Sequence, residues 1–329
     1  MDLDNILSLS ISPEVPIRYM NYHGMFVPDS YQLIADSIEN FQIRDDDVWV
    51  CSFPKAGTTW TQEMVWNIGN NFDPNMAKTP LPIKFPFVEF TGTTTTGWIS
   101  LNKADSIFPD HMSKSVEYAA NLPSPRFLKT HLPFNLLPRQ LRTREKKSKM
   151  IYVARNPKDV CISYYHHYKL LEGYCSTFEN FSKLFLGDKV YYAPFWDHVI
   201  SYWDNKENND ILFLTYEGMK KDLSSVIKQT AAFLNKSPMS PEQLCRLKEH
   251  LSFDSMKKNP AANYENAAES INASKIFGEN FKAEGVFIRK GEYGQWKSFM
   301  SPELIERFDE WTKLKLENHR DLFDKMIQI

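Results

Sequence analysis

Nine residues, Ser52-Phe-Pro-Lys-Ala-Gly-Thr-Thr-Trp60, constrain the fold more than any other stretch of this chain. They follow an apolar run rich in β-branched and aromatic residues, 48–51, and precede a segment with helical periodicity, 62–70. The proline cannot donate to a sheet ladder and Gly57 permits a sharp backbone turn, so the order predicts a strand, a tight loop and a helix. Gly-Thr-Thr alone would fit an ordinary capped turn equally well. The charge of Lys55 beside a helix start, where free N–H groups and the helix dipole attract anions, favours a phosphate site.

Four short apolar runs are typical of buried strands, and they alternate along the chain with segments of helical periodicity. The runs are 48–51, 126–133, 150–155 and 211–216, and the helical segments include 31–41, 62–70, 158–171, 195–203 and 223–233. This alternation predicts an α/β fold with a central parallel β-sheet flanked by helices. In such sheets ligands bind outside the carboxyl ends of the strands. Five side chains lie at or just past those ends: Lys55, Lys129, His131, Arg155 and Tyr216.

Composition narrows the class of protein further. The chain has 329 residues and no Gly/Ser-rich or Pro-rich linker, so we expect a single domain over residues 1–329. A net charge of −2 argues against a nucleic-acid surface. The start of the chain is acidic, and no apolar run reaches the roughly 20 residues of a membrane helix. The four cysteines have neither zinc spacing nor a disulfide framework, which predicts reduced, mostly buried thiols and a cytoplasmic location without membrane partners.

Several segments lack clear periodicity. We expect an irregular N-terminal segment over residues 1–29, with room for one short strand, and a solvated loop at the acidic residues 45–47. Residues 72–121 are long and irregular, which is typical of a lid, and their aromatic residues would roof an apolar pocket. Those aromatic residues are Phe85, Phe87, Phe90 and Trp98. Residues 261–285 are polar and weakly periodic, and we expect a loop over residues 257–291 that covers the ligand.

The string around Lys55 is not a Walker loop, because its lysine precedes the glycine. It resembles the 5'-phosphosulfate loop of the cytosolic sulfotransferases, Tyr-Pro-Lys-Ser-Gly-Thr-Thr-Trp, with departures at Phe53 and Ala56. Three further strings resemble the same family in the same order: Lys129-Thr-His-Leu-Pro133, the stretch 152–165, and the stretch 287–296. The interval 90–129 is longer than in the usual mammalian form, as it is in insect members.

The resemblance implies a P-loop-like strand, loop and helix that binds 3'-phosphoadenosine 5'-phosphosulfate (PAPS). It also implies an enzyme that moves the sulfonyl group to a hydroxyl of a small phenolic or lipophilic molecule without a metal. His131 would be the general base, since a neutral imidazole with a pKa of about 6.5 can take a hydroxyl proton near neutral pH. Lys55 and Lys129 would counter developing charge, and Ser163 would orient the lysine and the 3'-phosphate.

The resemblance also assigns binding residues. The cofactor, with its product 3'-phosphoadenosine 5'-phosphate (PAP), would contact Lys55, Ala56, Gly57, Thr58, Thr59, Trp60, Arg155, Ser163, Tyr216, Ser252, Phe253, Met256, Phe287, Arg289, Lys290 and Gly291. The acceptor would contact Tyr31, Phe87, Phe90, Lys129, His131, His167 and Tyr264. Phenylalanine is common in the family where this chain has His167, so this imidazole either favours an acceptor with a carboxylate or extra hydroxyl or is an ordinary surface histidine.

Three alternatives stay open at this point. A carrier of hydrophobic ligands regulated by PAP would keep the same pocket without turnover. A dehydratase would eliminate a transient sulfate from an allylic alcohol. A nucleotide kinase would need magnesium and a lysine after the glycine. The family's dimer motif is altered here, with Ser301-Pro302 in place of Thr-Val, which leaves both a monomer and a homodimer open.

Overall fold

The computed structural model describes residues 2–14, 17–71, 78–95, 109–208 and 210–327. Its strands are β1 Tyr19–Tyr22, β2 Met25–Pro28, β3 Val48–Cys51, β4 Phe127–Thr130, β5 Lys149–Ala154 and β6 Ile211–Thr215. The last four form one parallel sheet in the order β4, β3, β5, β6. This sheet confirms the predicted α/β fold class, and its strands lie where the apolar runs predicted them.

Both faces of the sheet are buried. Trp49 and Cys51 on β3 join one core cluster, whereas Val48 and Val50 on the same strand join a second cluster on the opposite face. This follows from the twofold alternation of side chains along a strand. Each face must therefore be covered by helices, as in other parallel sheets.

The helices fill the intervals between the strands. Their bounds are Leu3–Ser10, Gln32–Glu39, Thr58–Gly69, Leu81–Lys84, Phe90–Thr93, Asp110–Ser113, Ser115–Asn121, Arg139–Arg142, Pro157–Leu171, Phe178–Leu186, Phe195–Trp203, Tyr216–Lys221, Leu223–Phe233, Pro241–His250, Phe253–Lys258, Ala267–Ser274, Trp296–Phe299, Pro302–Lys315 and Arg320–Ile327. Short 3-10 turns occur at Asp29–Tyr31, Phe134–Leu136 and Lys206–Asn208.

Strand order fixes where a ligand can bind. From β3 the chain first adds β4 on one side and then returns to add β5 and β6 on the other. The connections on the two sides of β3 thus diverge, which opens a crevice at the carboxyl ends of the strands. Cys51, Thr130, Ala154 and Thr215 end the four strands at this edge.

The prediction of an irregular segment over residues 1–29 is wrong in its described part. The helix Leu3–Ser10 buries Ile6 and Leu7 in the main core, and β1 pairs with β2 as an antiparallel hairpin. His23 and Gly24 have φ values of 48° and 93° at the hairpin turn. Two consecutive positive φ angles are what a two-residue hairpin turn requires, and a His-Gly pair was not recognised as its signal.

The segment 72–121 is also less irregular than predicted. Its described residues form four short helices between Leu81 and Asn121. Residues 72–77 and 96–108, including Trp98, lie outside the described residues. The segment 257–291 begins with the last two residues of the helix Phe253–Lys258, contains the helix Ala267–Ser274, and forms no other helix or strand.

Two smaller predictions need correction. Cys51 and Cys161 are buried, whereas Cys175 and Cys245 are exposed, and all four are free thiols. Asp47 is fully buried rather than solvated, because its carboxylate accepts hydrogen bonds from the buried Arg126 guanidinium. In the described ranges, no helix combines the length and the apolar character that crossing a bilayer demands.

Candidate active site

The loop after β3 has the backbone of an anion-binding turn. Lys55 and Gly57 adopt positive φ angles of 67° and 110°, and Gly57 is the N-cap of the helix Thr58–Gly69. A Cβ on Gly57 would lie 2.7 Å from the Tyr216 ring, so glycine is needed there for space as well as for conformation. Within the described chain, no side chain caps this helix start. Its first N–H groups and the helix dipole therefore face the crevice as an anion site.

Four cations gather beside this helix start, and none of them forms an ion pair with a carboxylate in the described part of the chain. Burial lowers the pKa of Lys55 to about 7, and the positive charges of Lys129, Arg155 and Arg289 act in the same direction. Burial likewise lowers the pKa of Lys129 to about 8. Repulsion of this kind is relieved by a bound anion, which favours the charged form of each lysine.

Arg155 is already oriented for a ligand. Its guanidinium lies 4.3 Å from the centre of the Tyr216 ring, and its Nη2 donates to the Glu292 carbonyl at 2.7 Å. Its Nε is buried and has no partner among the described residues. Buried donors are nearly always paired in folded proteins, so this Nε indicates a missing acceptor such as a phosphate oxygen.

His131 presents one ring nitrogen as a base. Its Nδ1–H donates to the Ser52 carbonyl at 2.7 Å, which leaves Nε2 as the unprotonated nitrogen. Burial holds the pKa of His131 well below its ordinary value, and the charge of Lys129 acts in the same direction. The imidazole is therefore neutral and able to accept a proton at neutral pH.

The backbone of His131 is held from both sides by residues that the sequence did not single out. Its N–H donates to Glu89 Oε1 at 2.5 Å, and its carbonyl accepts from His198 Nε2 at 2.8 Å. Glu89 also accepts from the Thr130 hydroxyl, and burial raises its pKa to about 7. A carboxylate inside the apolar string Pro86-Phe-Val-Glu-Phe90 was the available signal for Glu89.

One cavity of about 570 Å³ joins these groups, within the usual size range of small-molecule sites. Of the predicted site residues it brings together Lys55, Gly57, Thr58, Thr59, Trp60, Phe87, Phe90, Lys129, His131, Arg155, Ser163, His167, Tyr216, Phe253, Met256, Tyr264, Phe287, Arg289, Lys290 and Gly291.

Three predicted residues do not line this cavity. Tyr31 is buried in the core, where its ring packs 4.9 Å from Tyr22, so it does not face an acceptor. Ala56 is buried behind the loop. Ser252 caps the helix Phe253–Lys258 by accepting from the Ser255 N–H at 3.2 Å. The sequence placed all three near the site, but it could not tell a lining position from a supporting one.

Comparisons with known proteins agree with this geometry. A family model described as the sulfotransferase domain matches residues 45–323. The luciferin sulfotransferase of Photinus pyralis is 45% identical over 285 residues, which are 86% of this chain and 75% of that protein. The amine sulfotransferase of Oryctolagus cuniculus is 37% identical over 279 residues, which are 84% and 82% of the two chains. A crystal structure of retinol dehydratase with androsterone and the inactive cofactor PAP superimposes with a TM-score of 0.79 at 31% identity, covering 95% of this chain and 93% of that one. This chain belongs to the sulfotransferase family.

Proposed function

We propose that this chain transfers a sulfonyl group from PAPS to the hydroxyl of a small phenolic or lipophilic alcohol. The observation that carries the proposal is the cluster of buried cations at an uncapped helix start, 52–60, beside a neutral histidine with a free Nε2. When bound, PAPS supplies the sulfonyl group and a phosphate that leaves with the displaced electron pair. PAPS carries one anionic group at its 5' position and another at its 3' position. These two groups fit the cation cluster, the unpaired Arg155 Nε and the tight glycine turn.

The chain's own residues can perform the remaining steps. His131 Nε2 accepts the proton of the acceptor hydroxyl as the oxygen attacks sulfur in line. Lys55 and Lys129 set positive charge where negative charge develops on the leaving phosphate and the sulfonyl oxygens. Ser163, on the helix Pro157–Leu171, would orient Lys55 and the 3'-phosphate together with Arg155.

The segment after Phe287 would complete the binding site for the 3'-phosphate. Arg289 and Lys290 line the cavity, and a Cβ on Gly291 would overlap the Phe253 ring. Glycine therefore permits this segment to lie close against the ligand.

The acceptor end of the cavity suits a planar or apolar molecule. Phe87 packs against Phe90 and against the His131 ring, at centroid separations of 5.9 Å and 5.0 Å, and Tyr192 lies 5.4 Å from the His131 ring. Aromatic walls bind planar apolar groups well. The relatives act on or hold small molecules of this size, to judge from luciferin, androsterone and retinol.

One observation favours a second candidate function. Retinol dehydratase is among the most similar solved structures, and it is also seen with retinol and PAP at 30% identity and a TM-score of 0.78. In this second reaction the sulfonated allylic alcohol loses sulfate and a carbon-bound proton, which leaves a new double bond.

We further propose a cytoplasmic location, one domain over residues 1–329, and a monomer or homodimer.

The test is to mix the purified protein with PAPS and a pooled panel of phenols, aliphatic and allylic alcohols, sterols and amines. Release of PAP is followed together with the masses of all products. A product heavier by one sulfonyl group supports the transferase. A product lighter by one water supports the dehydratase. Tight PAPS binding without any product supports the carrier, and no PAPS binding contradicts the whole proposal.

A further inference from the structure

A second polar group lines the same cavity, on the helix that carries Ser163. The helix Pro157–Leu171 runs along the cavity wall and presents Ser163, His167 and Leu171 at intervals of four residues, which is one helical face. Glu172 is the C-cap of this helix and also lines the cavity. At the helical rise per residue, Glu172 is about 13 Å along the axis from Ser163. It therefore lies far from the end where the 3'-phosphate would bind.

Glu172 is a buried carboxylate with an incomplete set of partners. It is 4% exposed, and its Oε2 accepts from the Thr95 backbone N–H at 3.1 Å. Its Oε1 lies 3.6 Å from His167 Nε2, which is beyond hydrogen-bond distance. No lysine or arginine in the described ranges forms an ion pair with it. Burying a carboxylate without a cation is costly, so such groups are candidates for function.

His167 completes this polar group as a neutral imidazole. Burial and the charges of Lys55 and Lys129 hold its pKa well below the ordinary value. Its Nδ1 is buried and has no partner among the described residues, and its side chain is 17% exposed. An imidazole that stays neutral cannot neutralise Glu172, so both side chains keep hydrogen-bonding capacity for a ligand.

We propose that Glu172 and His167 form a second subsite, which binds a hydroxyl or amine group of the acceptor at the end opposite the hydroxyl that is sulfonated. The inference rests on the proposed function and names the class of acceptor. An O–H or N–H placed between the two side chains donates to Glu172 Oε1, and a hydroxyl oxygen also accepts from His167 Nε2–H. The aromatic wall at Phe87, Phe90 and Tyr192 takes the apolar spacer. A wholly apolar acceptor leaves Glu172 Oε1 and the His167 ring without this hydrogen bond.

The experiment compares 4-(ω-hydroxyalkyl)phenols with 4-alkylphenols of equal chain length, over a series of increasing lengths. At pH 8, above the pKa of about 7 to which burial raises Glu172, we expect the preference for the hydroxyl-bearing phenol, as a ratio of kcat/KM values, to peak at one length. It should reach about tenfold, the effect of one hydrogen bond to a charged group. In Glu172→Leu and His167→Phe the ratio falls to about one. The matched control is His166→Phe on the same helix, because His166 packs against Phe299 instead of the acceptor cavity, and its ratio keeps the peak.

Calorimetry tests the subsite without turnover. It measures the binding of the same phenols to the complex of the protein with PAP. The same peak in affinity, lower in Glu172→Gln because a neutral amide oxygen accepts more weakly than a carboxylate, supports the inference even if none of these phenols is sulfonated. Glu172→Gln keeps the shape of the side chain, so it serves where the leucine variant does not fold. A ratio near one at every length, a peak that survives in Glu172→Leu, or a peak of undiminished height in Glu172→Gln overturns the subsite. Failure of PAP to bind contradicts the proposed function instead.

Discussion

At the residue scale, His131 is held through its ring and through its backbone, and only one nitrogen remains for chemistry. We expect His131→Ala to lower sulfonyl transfer by at least the 10² to 10⁴ range of general-base catalysis, because no other neutral base is held at this position. PAP affinity should change less than about threefold, since the histidine is not part of the cation cluster. Product mass detection and calorimetry measure the two effects.

The control for this variant is His23→Asn. His23 is exposed at the hairpin turn with a positive φ angle that asparagine tolerates, so both properties should stay as they are. If His131→Ala loses transfer and PAP affinity together, the histidine has a structural role and a different base must be sought.

The buried carboxyl group of Glu89 makes the free energy of unfolding depend on pH. Burial raises its pKa from 4.5 to about 7, so between these values the folded state keeps a proton that the unfolded state has released. The free energy of unfolding therefore falls as pH rises through this window. This loss is absent in Glu89→Gln. We expect the variant to gain about 2 to 3 kcal/mol relative to the unaltered chain between pH 5 and pH 8.

Urea denaturation of both proteins at the two pH values measures this gain. Glu172 has a pKa raised to about 7 in the same way, but it is present in both proteins and cancels in the difference. A difference that does not change with pH would mean that Glu89 is already ionised in the folded protein at pH 5.

At the element scale, one carboxylate ties the segment after Phe287 to the helix Pro157–Leu171. Asp159 Oδ2 accepts from the Gly294 N–H at 2.6 Å, and its Oδ1 accepts from the Gln295 N–H at 3.0 Å. We expect Asp159→Ala to release this segment, to raise hydrogen exchange over 287–296, and to weaken PAP binding by about tenfold or more, as the loss of charged hydrogen bonds predicts.

Asp309→Ala is the matched control for this effect. Asp309 pairs with Lys158, the neighbour of Asp159 on the same helix, but its side chain is 43% exposed, and no hydrogen bond among the described residues joins it to the 287–296 segment. Exchange over 287–296 and PAP affinity should stay nearly unchanged in this variant. Equal losses in both variants would instead point to general destabilisation of the helix.

Elements were predictable where burial alone decided them. The runs that became β3 and β6 are apolar on both faces, so their composition was sufficient. The helix Leu3–Ser10 was missed because its order depends on burying Ile6 and Leu7 against the distant helix Phe178–Leu186.

Site residues could be predicted where a short sequence motif contains them. Lys55 and His131 each lie in such a motif, and the motif identified them. Asp47 and Glu89 depend on partners far along the chain, Arg126 and His131, and pattern alone could not join them.

At the scale of the whole molecule, residues far apart in sequence meet as one cation cluster, and this couples ligand binding to the uptake of protons. Without a ligand, Lys55 and Lys129 have pKa values of about 7 and about 8. The phosphates of PAP raise both pKa values again, because an opposite charge favours the charged form. At pH 8 to 9 the free protein has lost most of these protons, so binding must take up as many as two.

Affinity for PAP should therefore fall as pH rises from 7 to 9, by as much as tenfold per pH unit for each proton taken up. Calorimetry at pH 8.5 in buffers of different ionisation enthalpy counts those protons directly. Lys55→Met removes one of the two groups and should lower the count by about one, although it also weakens binding. Thermal unfolding of the free protein over the same pH range shows whether the fold itself changes. If PAP affinity is independent of pH and no proton is taken up, both lysines are already charged in the free protein, and burial does not lower their pKa values into this range.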